Sequence, residues 1–359
     1  MKEWVLRIGL VLGAIVVTLG ALELGVRLVT NAWTTSLPNF VLESRKVQAA
    51  RNESRYVEDP TLGYVPRPNS SVKGFGIDAE GFRRSAAMPD KGATPDGEAT
   101  PEGGVILAVG DSFTFGEEVK DDETWPAYLQ QLLGRRVLNA GVSGYGFDQI
   151  VLRAEKVVPD LHPSKIVVGF IADDIVRTEM RRRWSAEKPY FDIQHGALVL
   201  HRVSVPQPDP NTSLGFLERT LGYSYLLDFI LSRLDLTDNW HSDHIRVHPS
   251  GMGEKISCLL THRLADLQRR SGARVLVVAQ YDTVVWRDAS FAAEQRRLTK
   301  GLLDCSRQQG LEVLDTFDAL AAHGGKGAAR SLYAEWHMND AGNRLTAGLI
   351  AAALGNGGN

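Results

Sequence analysis

The chain has 359 residues, of which 43% are hydrophobic and 23% charged. That balance suits a globular protein with one large core and some additions. A net charge of −3 at pH 7 gives no global attraction to nucleic acid, and no nucleic-acid partner is expected. Two cysteines, Cys258 and Cys305, are too few for a disulfide scaffold or a cysteine zinc cluster. Each falls in a predicted amphipathic helix, and both are expected to be free.

In chain order, residues 8–22 carry no charge, and Lys2 and Arg7 precede them. This resembles the basic and apolar regions of a secretory signal. The helix can continue through Glu23 and Arg27, four apart on one face and able to pair. Residues 8–29 would reach about 33 Å, enough to span a bilayer core. An uncleaved single-pass anchor is the favoured reading. A signal cleaved near Thr18-Leu19-Gly20 and a buried soluble helix are the alternatives. The start favours an N-terminus inside and the remainder exported, with the protein in a bacterial inner membrane and its main domain extracytoplasmic.

Residues 1–30 are therefore read as anchor or signal, and 31–103 as stalk and N-terminal extension. Within the extension, residues 30–57 suggest a connecting helix, and 71–82 a small β element. Residues 86–104 are rich in Pro, Gly, Asp and Glu without apolar period, the pattern of a loop.

From residue 104 strand and helix patterns alternate, which implies a parallel sheet. Strands are expected at 105–109, 136–139, 166–171, 274–279 and 311–314. Helices are expected at 124–133, with Thr124 as cap and Pro126 in the first turn, and at 147–158, 253–271, 290–309 and 340–352, the last capped by Asp340. Residues 176–255 interrupt this rhythm as an insertion expected to cover one edge of the site. It holds a predicted hairpin at 190–203 turning at His195-Gly196, a turn-rich connector at 206–210 and an amphipathic helical region at 217–234.

The first strand, Val105-Ile106-Leu107-Ala108-Val109, runs into Gly110-Asp111-Ser112-Phe113. A serine at the carboxyl end of a strand in an open α/β sheet sits where such sheets do chemistry. Late in the chain lies Glu335-Trp336-His337, a histidine with an acidic neighbour. Between them come Asn139-Ala140-Gly141-Val142-Ser143-Gly144 and Ala172-Asp173-Asp174. In this order the blocks resemble those of the SGNH (GDSL-type) hydrolases, over roughly residues 104–354. Gly63-Tyr64-Val65-Pro66-Arg67-Pro68-Asn69 and Gly81-Phe82-Arg83 are similar to a leading segment of membrane-anchored bacterial members.

The resemblance implies a flavodoxin-like three-layer α/β/α fold with a parallel sheet, and ester hydrolysis or acyl transfer without a cofactor or metal. It makes Ser112 the nucleophile and His337 its general base. Glu335 would hold the imidazole tautomer. The backbone amides of Ser112 and Gly144 would bind the oxyanion. Two positions depart from the family pattern. The common aspartate three before the histidine is Ala334 here, which leaves Glu335. Asp173 stands where the family has an asparagine whose amide donates to the oxyanion. An ionised carboxylate about 4 Å from an oxyanion would cost about 4 kcal/mol at an effective dielectric near 20. A protonated Asp173 could donate.

Other signals read more plainly. Asn139 is read as structural. His241, His244 and His248 could suggest a metal, but Pro249-Ser250-Gly251 argues for a loop of solvated histidines. Arg181-Arg182-Arg183 reads as a solvated face, with contact to an anionic glycan as the alternative. The expectation is thus a membrane-anchored serine esterase or O-acyltransferase acting on acyl, and best acetyl, esters of cell-envelope carbohydrate. The alternative is a catalytically weak glycan-binding or assembly protein on the same fold.

Overall fold

The computed structural model describes residues 2–30, 38–72, 74–85, 104–203, 214–234, 236–241, 243–324 and 331–355. The connector expected at 206–210, nearly all of the loop expected at 86–104 and part of the expected stalk lie outside the described residues. The described residues fall into two compact units. One draws on 1–53, 182–186 and 206–245, the other on 54–181, 187–205 and 246–359.

The second unit is built on a five-stranded sheet: β1 (Ile106–Val109), β2 (Val137–Asn139), β3 (Lys165–Phe170), β4 (Arg274–Ala279) and β5 (Glu312–Asp315). The strand order is β2-β1-β3-β4-β5, and every neighbouring pair is parallel. This is the flavodoxin order, which places a crevice at the carboxyl ends of β1 and β3, where the order reverses.

Strand alternation explains the two flanking layers. Leu107, Val109, Ile166, Val168, Val275 and Val277 face one side, against Ile150 and Val151 of helix Phe147–Leu161, Leu260 and Leu264 of helix Met252–Ser271, and Leu302 of helix Ala289–Gln308. Ile106, Ala108, Val167, Leu276 and Val278 face the other, against Trp125 and Leu129 of helix Trp125–Leu133 and Ala347 and Ile350 of helix Asp340–Gly355. The fold is the expected three-layer α/β/α sandwich. Thr124 caps its helix as expected, its hydroxyl accepting from Ala127 N at 3.2 Å. The final helix is shifted by one: Asn339 Oδ1 accepts from Gly342 N at 3.0 Å, so Asn339 and not Asp340 is the cap. The hairpin Tyr190–Gln194/Ala197–His201 turns at His195 and Gly196, both at positive φ, as two-residue hairpin loops require.

The expectation of free cysteines is overturned. Helices Met252–Ser271 and Ala289–Gln308 lie side by side on one face of the sheet, and Cys258 and Cys305 are joined in a disulfide with Cα atoms 5.4 Å apart. Two helical cysteines can pair because these helices present them to each other at bridging distance.

The part of the extension from residue 54 onward belongs to the second unit and is held in it by buried polar contacts. The Arg83 side chain is fully buried; it donates to Phe115 O at 2.8 Å, Val119 O at 2.7 Å and Asp121 Oδ1 at 2.9 Å, and also to Gly116 O. It thereby pins the segment that follows the nucleophile turn.

The first unit contains helix Lys2–Val29, the polar helix Phe40–Arg55 as far as residue 53, and two short helices, Phe216–Leu221 and Tyr225–Arg233. The amphipathic region expected at 217–234 is thus broken into two at Gly222-Tyr223-Ser224. Residues 3–29 form a helix long and apolar enough to cross a membrane, and its apolar stretch is exposed, with Arg27 near its end buried.

Candidate active site

Ser112 follows directly on the carboxyl end of β1 and opens the turn Ser112–Phe115. Asp111 caps that turn, its Oδ1 accepting from Phe113 N at 2.9 Å. Beneath it Arg177 donates to Asp174 Oδ1 at 2.5 Å, Tyr145 O at 3.0 Å and Asp111 Oδ2 at 3.4 Å. This buried cation fixes Asp111, and with it the turn, from below. Burial and the Asp111 charge push the Asp174 carboxyl well up, against the pull of Arg177.

Asn343, in the first turn of helix Asp340–Gly355, donates to Met338 O at 3.0 Å and so ties down the segment just before that helix, which carries His337 over the turn. His337 Nε2 lies 2.9 Å from Ser112 Oγ. The imidazole packs on the Phe113 ring with centroids 5.1 Å apart. The structure thus brings together, across 225 positions, the serine and the histidine that the sequence singles out.

The carboxylate that meets the histidine is not Glu335. Glu118 Oε1 lies 3.2 Å from His337 Nδ1, and Glu118 Oε2 accepts from the backbone N–H groups of Glu335, Trp336 and His337 at 3.0, 3.1 and 3.3 Å. Among the described residues, Glu335 meets this cluster through its backbone amide and not its carboxylate. Spacing explains the difference. Glu335 is two residues before His337 in a loop whose amides converge on one anion, so that anion comes from another segment. Burial opposes ionisation of Glu118, but the Trp336 and His337 N–H groups and the imidazole outweigh it and hold the carboxyl below the usual range. Glu118 adopts φ of +70°, a left-handed conformation that is costly outside glycine. Arg83, clamped to the carbonyls of Phe115, Gly116 and Val119, holds this segment in place.

Next to it, Glu117 is ion-paired with Arg55 and accepts from Ser143 Oγ at 2.6 Å. Burial would raise its carboxyl, yet Arg55, Ser143 and the nearby His337 together bring it below the usual range. Glu117 thus ties the extension to the Gly141–Gly144 block. In that block Gly144 has φ of +83°, which favours glycine. A Cβ on Gly141 would come within 2.4 Å of Phe115 N, so only glycine lets the block lie against the nucleophile turn. Among the described residues the amides of Ser112 and Gly144 have no acceptor within the protein, so both are available to a developing oxyanion. Asn139 accepts from Gly141 N at 3.1 Å and donates to Phe115 O at 3.3 Å, a structural position.

Asp173 lies in the first turn of helix Ala172–Arg177, directly after β3, and is half-buried. Among the described residues it makes no hydrogen bond to Ser112, Gly144 or His337. Its charge is felt at Asp282: burial first, and then Asp173, push the Asp282 carboxyl up, against Val284 N–H and His337. Arg181 pairs with Glu187 at 3.2 Å, and Arg182 with Asp243 at 2.5 Å, so neither is simply a solvated charge. His248 Nε2 sits 2.8 Å from Phe191 O.

A serine hydroxyl, an imidazole and a carboxylate in series, at the switch point of a parallel sheet with unpaired amides nearby, define the serine hydrolase class of site. The chain belongs to the GDSL-like Lipase/Acylhydrolase family, whose model matches residues 108–345. No curated protein matches the sequence. Among solved structures it is similar to LAE5, an α/β hydrolase enzyme from the metagenome of Lake Arreo, Spain, at 15% identity and a TM-score of 0.43, covering 70% of this chain and 95% of that one. It is also similar to the acetyl xylan esterase AlAXEase, at 14% identity and a TM-score of 0.42, covering 70% and 99%. A catalytic mutant of Axe2, an acetylxylan esterase from Geobacillus stearothermophilus, aligns at 13% identity and a TM-score of 0.41, covering 70% and 94%.

Proposed function

We propose that this acylhydrolase-family chain is a membrane-anchored serine esterase or O-acyltransferase that acts on acyl esters of cell-envelope carbohydrate. The observation that carries the reading is the 2.9 Å contact between His337 Nε2 and Ser112 Oγ. In the proposed reaction Ser112 Oγ bonds to the acyl carbon while its proton passes to His337 Nε2. Glu118 takes the orienting role expected of Glu335 and stabilises the imidazolium. The Ser112 and Gly144 amides receive the oxyanion. The ester C–O bond then breaks, and the leaving alkoxide takes the proton from His337. Water or a sugar hydroxyl repeats the sequence in reverse and frees Ser112.

Three features support the finer statements. Trp336, beside His337, is 55% exposed, and an open indole face suits stacking on a sugar ring. The apolar helix Lys2–Val29 supports anchoring. The Cys258–Cys305 disulfide supports an extracytoplasmic, oxidising location. Acetyl is the acyl group proposed.

Asp173 favours a second reading, a glycan-binding or assembly protein with little turnover. The test is p-nitrophenyl acetate turnover by the full chain beside Ser112→Ala across pH 5 to 9. Turnover that vanishes with Ser112→Ala supports the esterase. Background rates in both forms would favour the second reading.

A further inference from the structure

Helices Phe216–Leu221 and Tyr225–Arg233 are rich in Leu, Phe and Ile, yet neither contains a buried residue. Phe216 is 78% exposed, Leu217 59%, Ile230 43% and Leu234 60%. Large apolar side chains left this open, on helices whose remaining residues are at most half-buried, point to an interaction surface.

What covers it follows from how these helices are tied to the N-terminal helix. Glu23 caps the second of them: Tyr225 N, Leu226 N and Ser224 Oγ all donate to its carboxylate at 2.9 Å. Arg27 donates to Glu23 at 2.7 Å and to Tyr223 O at 3.2 Å, and its guanidinium lies over the Tyr225 ring. Both charges in the second half of the apolar helix are thus consumed by the segment 223–226.

The level of this joint can be read along the helix. Residues 4–22 are exposed throughout and are about 28 Å long at 1.5 Å per residue, which matches a bilayer core of about 30 Å. Arg7, one turn from Trp4, can snorkel to its own end. Glu23 then falls at the opposite interface, and the helix it caps begins at headgroup depth. An unpaired carboxylate there would be costly, whereas this one is matched by a helix N-terminus and Arg27. The segment also has the composition of interfacial helices, with Phe216, Tyr223 and Tyr225 beside Arg219 and Arg233.

We propose that residues 214–234 form an interfacial membrane-docking element whose apolar side chains enter the bilayer beside the anchor. The inference rests on reading Lys2–Val29 as a membrane span. The test uses the full chain in phosphatidylcholine vesicles, with single cysteines introduced as Val16→Cys, Leu217→Cys, Leu234→Cys and Lys46→Cys. The native cysteines are bonded to each other, so each variant offers one free thiol for an environment-sensitive fluorophore. All four positions are exposed, so substitution leaves the fold intact. Dyes at 217 and 234 should be quenched by nitroxide-bearing lipid, and their iodide quenching should be at least about fivefold below that at Lys46. If Val16 is lipid-quenched while 217 and 234 respond to iodide as Lys46 does, the anchor stands and the docking element is refuted. Shielding from iodide without lipid quenching means protein covers the face, which also refutes it. If Val16 itself escapes lipid quenching, the anchor reading fails, and this inference with it.

Discussion

Replacing Glu118 by Gln keeps the side chain's length and removes its charge. In the structure that charge lies 3.2 Å from His337 Nδ1. Coulomb attraction to an imidazolium at that distance is about 5 kcal/mol at an effective dielectric near 20. Both side chains retain partial solvent access, 26% for Glu118 and 21% for His337, and screening cuts the gain to roughly half. A loss of about 2–3 kcal/mol in transition-state stabilisation is a fall of about 30- to 150-fold in kcat. Gln also offers an amide N–H toward the three backbone N–H donors that Glu118 Oε2 now accepts, so the loop bearing His337 loosens. The assay is p-nitrophenyl acetate hydrolysis, with kcat and KM measured separately and Glu335→Gln run in parallel. Glu118→Gln should lower kcat with little change in KM, and Glu335→Gln should stay within about threefold of the parent, as expected when a backbone amide makes the contact. A large loss in Glu335→Gln with Glu118→Gln intact would refute the assignment.

Three further outcomes are expected. Asp173→Asn exchanges a carboxylate for an amide donor in the first turn after β3 and, on the oxyanion role the resemblance implies for this position, should raise esterase kcat about tenfold or more; a loss would show that the Asp173 carboxyl group is used. Reduction of Cys258–Cys305, which closes a loop 47 residues apart in sequence, should lower stability by about 4 kcal/mol in the chain-entropy account, read as a drop in Tm under dithiothreitol. Glu117, held below its ordinary value of 4.5, contributes stability that is complete above that value and is lost as pH falls through its lower folded value. Glu117→Gln should therefore be less stable than the parent at pH 7, with a shallower decline in Tm between pH 5 and pH 3.

The sheet and the pairing of Ser112 with His337 were legible because their signals are local: an apolar run, a Gly-Asp-Ser turn, and a histidine before the last helix. The hairpin at His195-Gly196 was legible for the same reason. Glu118 was not, because its partner is 219 positions away and it stands in a run with Glu117, Asp121, Asp122 and Glu123, none marked out by spacing. Its positive φ and the Arg83 clamp are properties of the folded chain alone. The disulfide was hidden for a related reason, since helical cysteines pair only when tertiary packing aligns their helices. The docking element at 214–234 read simply as an amphipathic helical region, and only its tie to Glu23 gives it a depth.

The most direct test of the central claim is to treat the purified full chain with a fluorophosphonate and locate the adduct by peptide mass mapping. The account predicts one adduct, on Ser112, lost in Ser112→Ala and slowed in His337→Ala. An unlabelled protein, or an adduct on another residue, would contradict it.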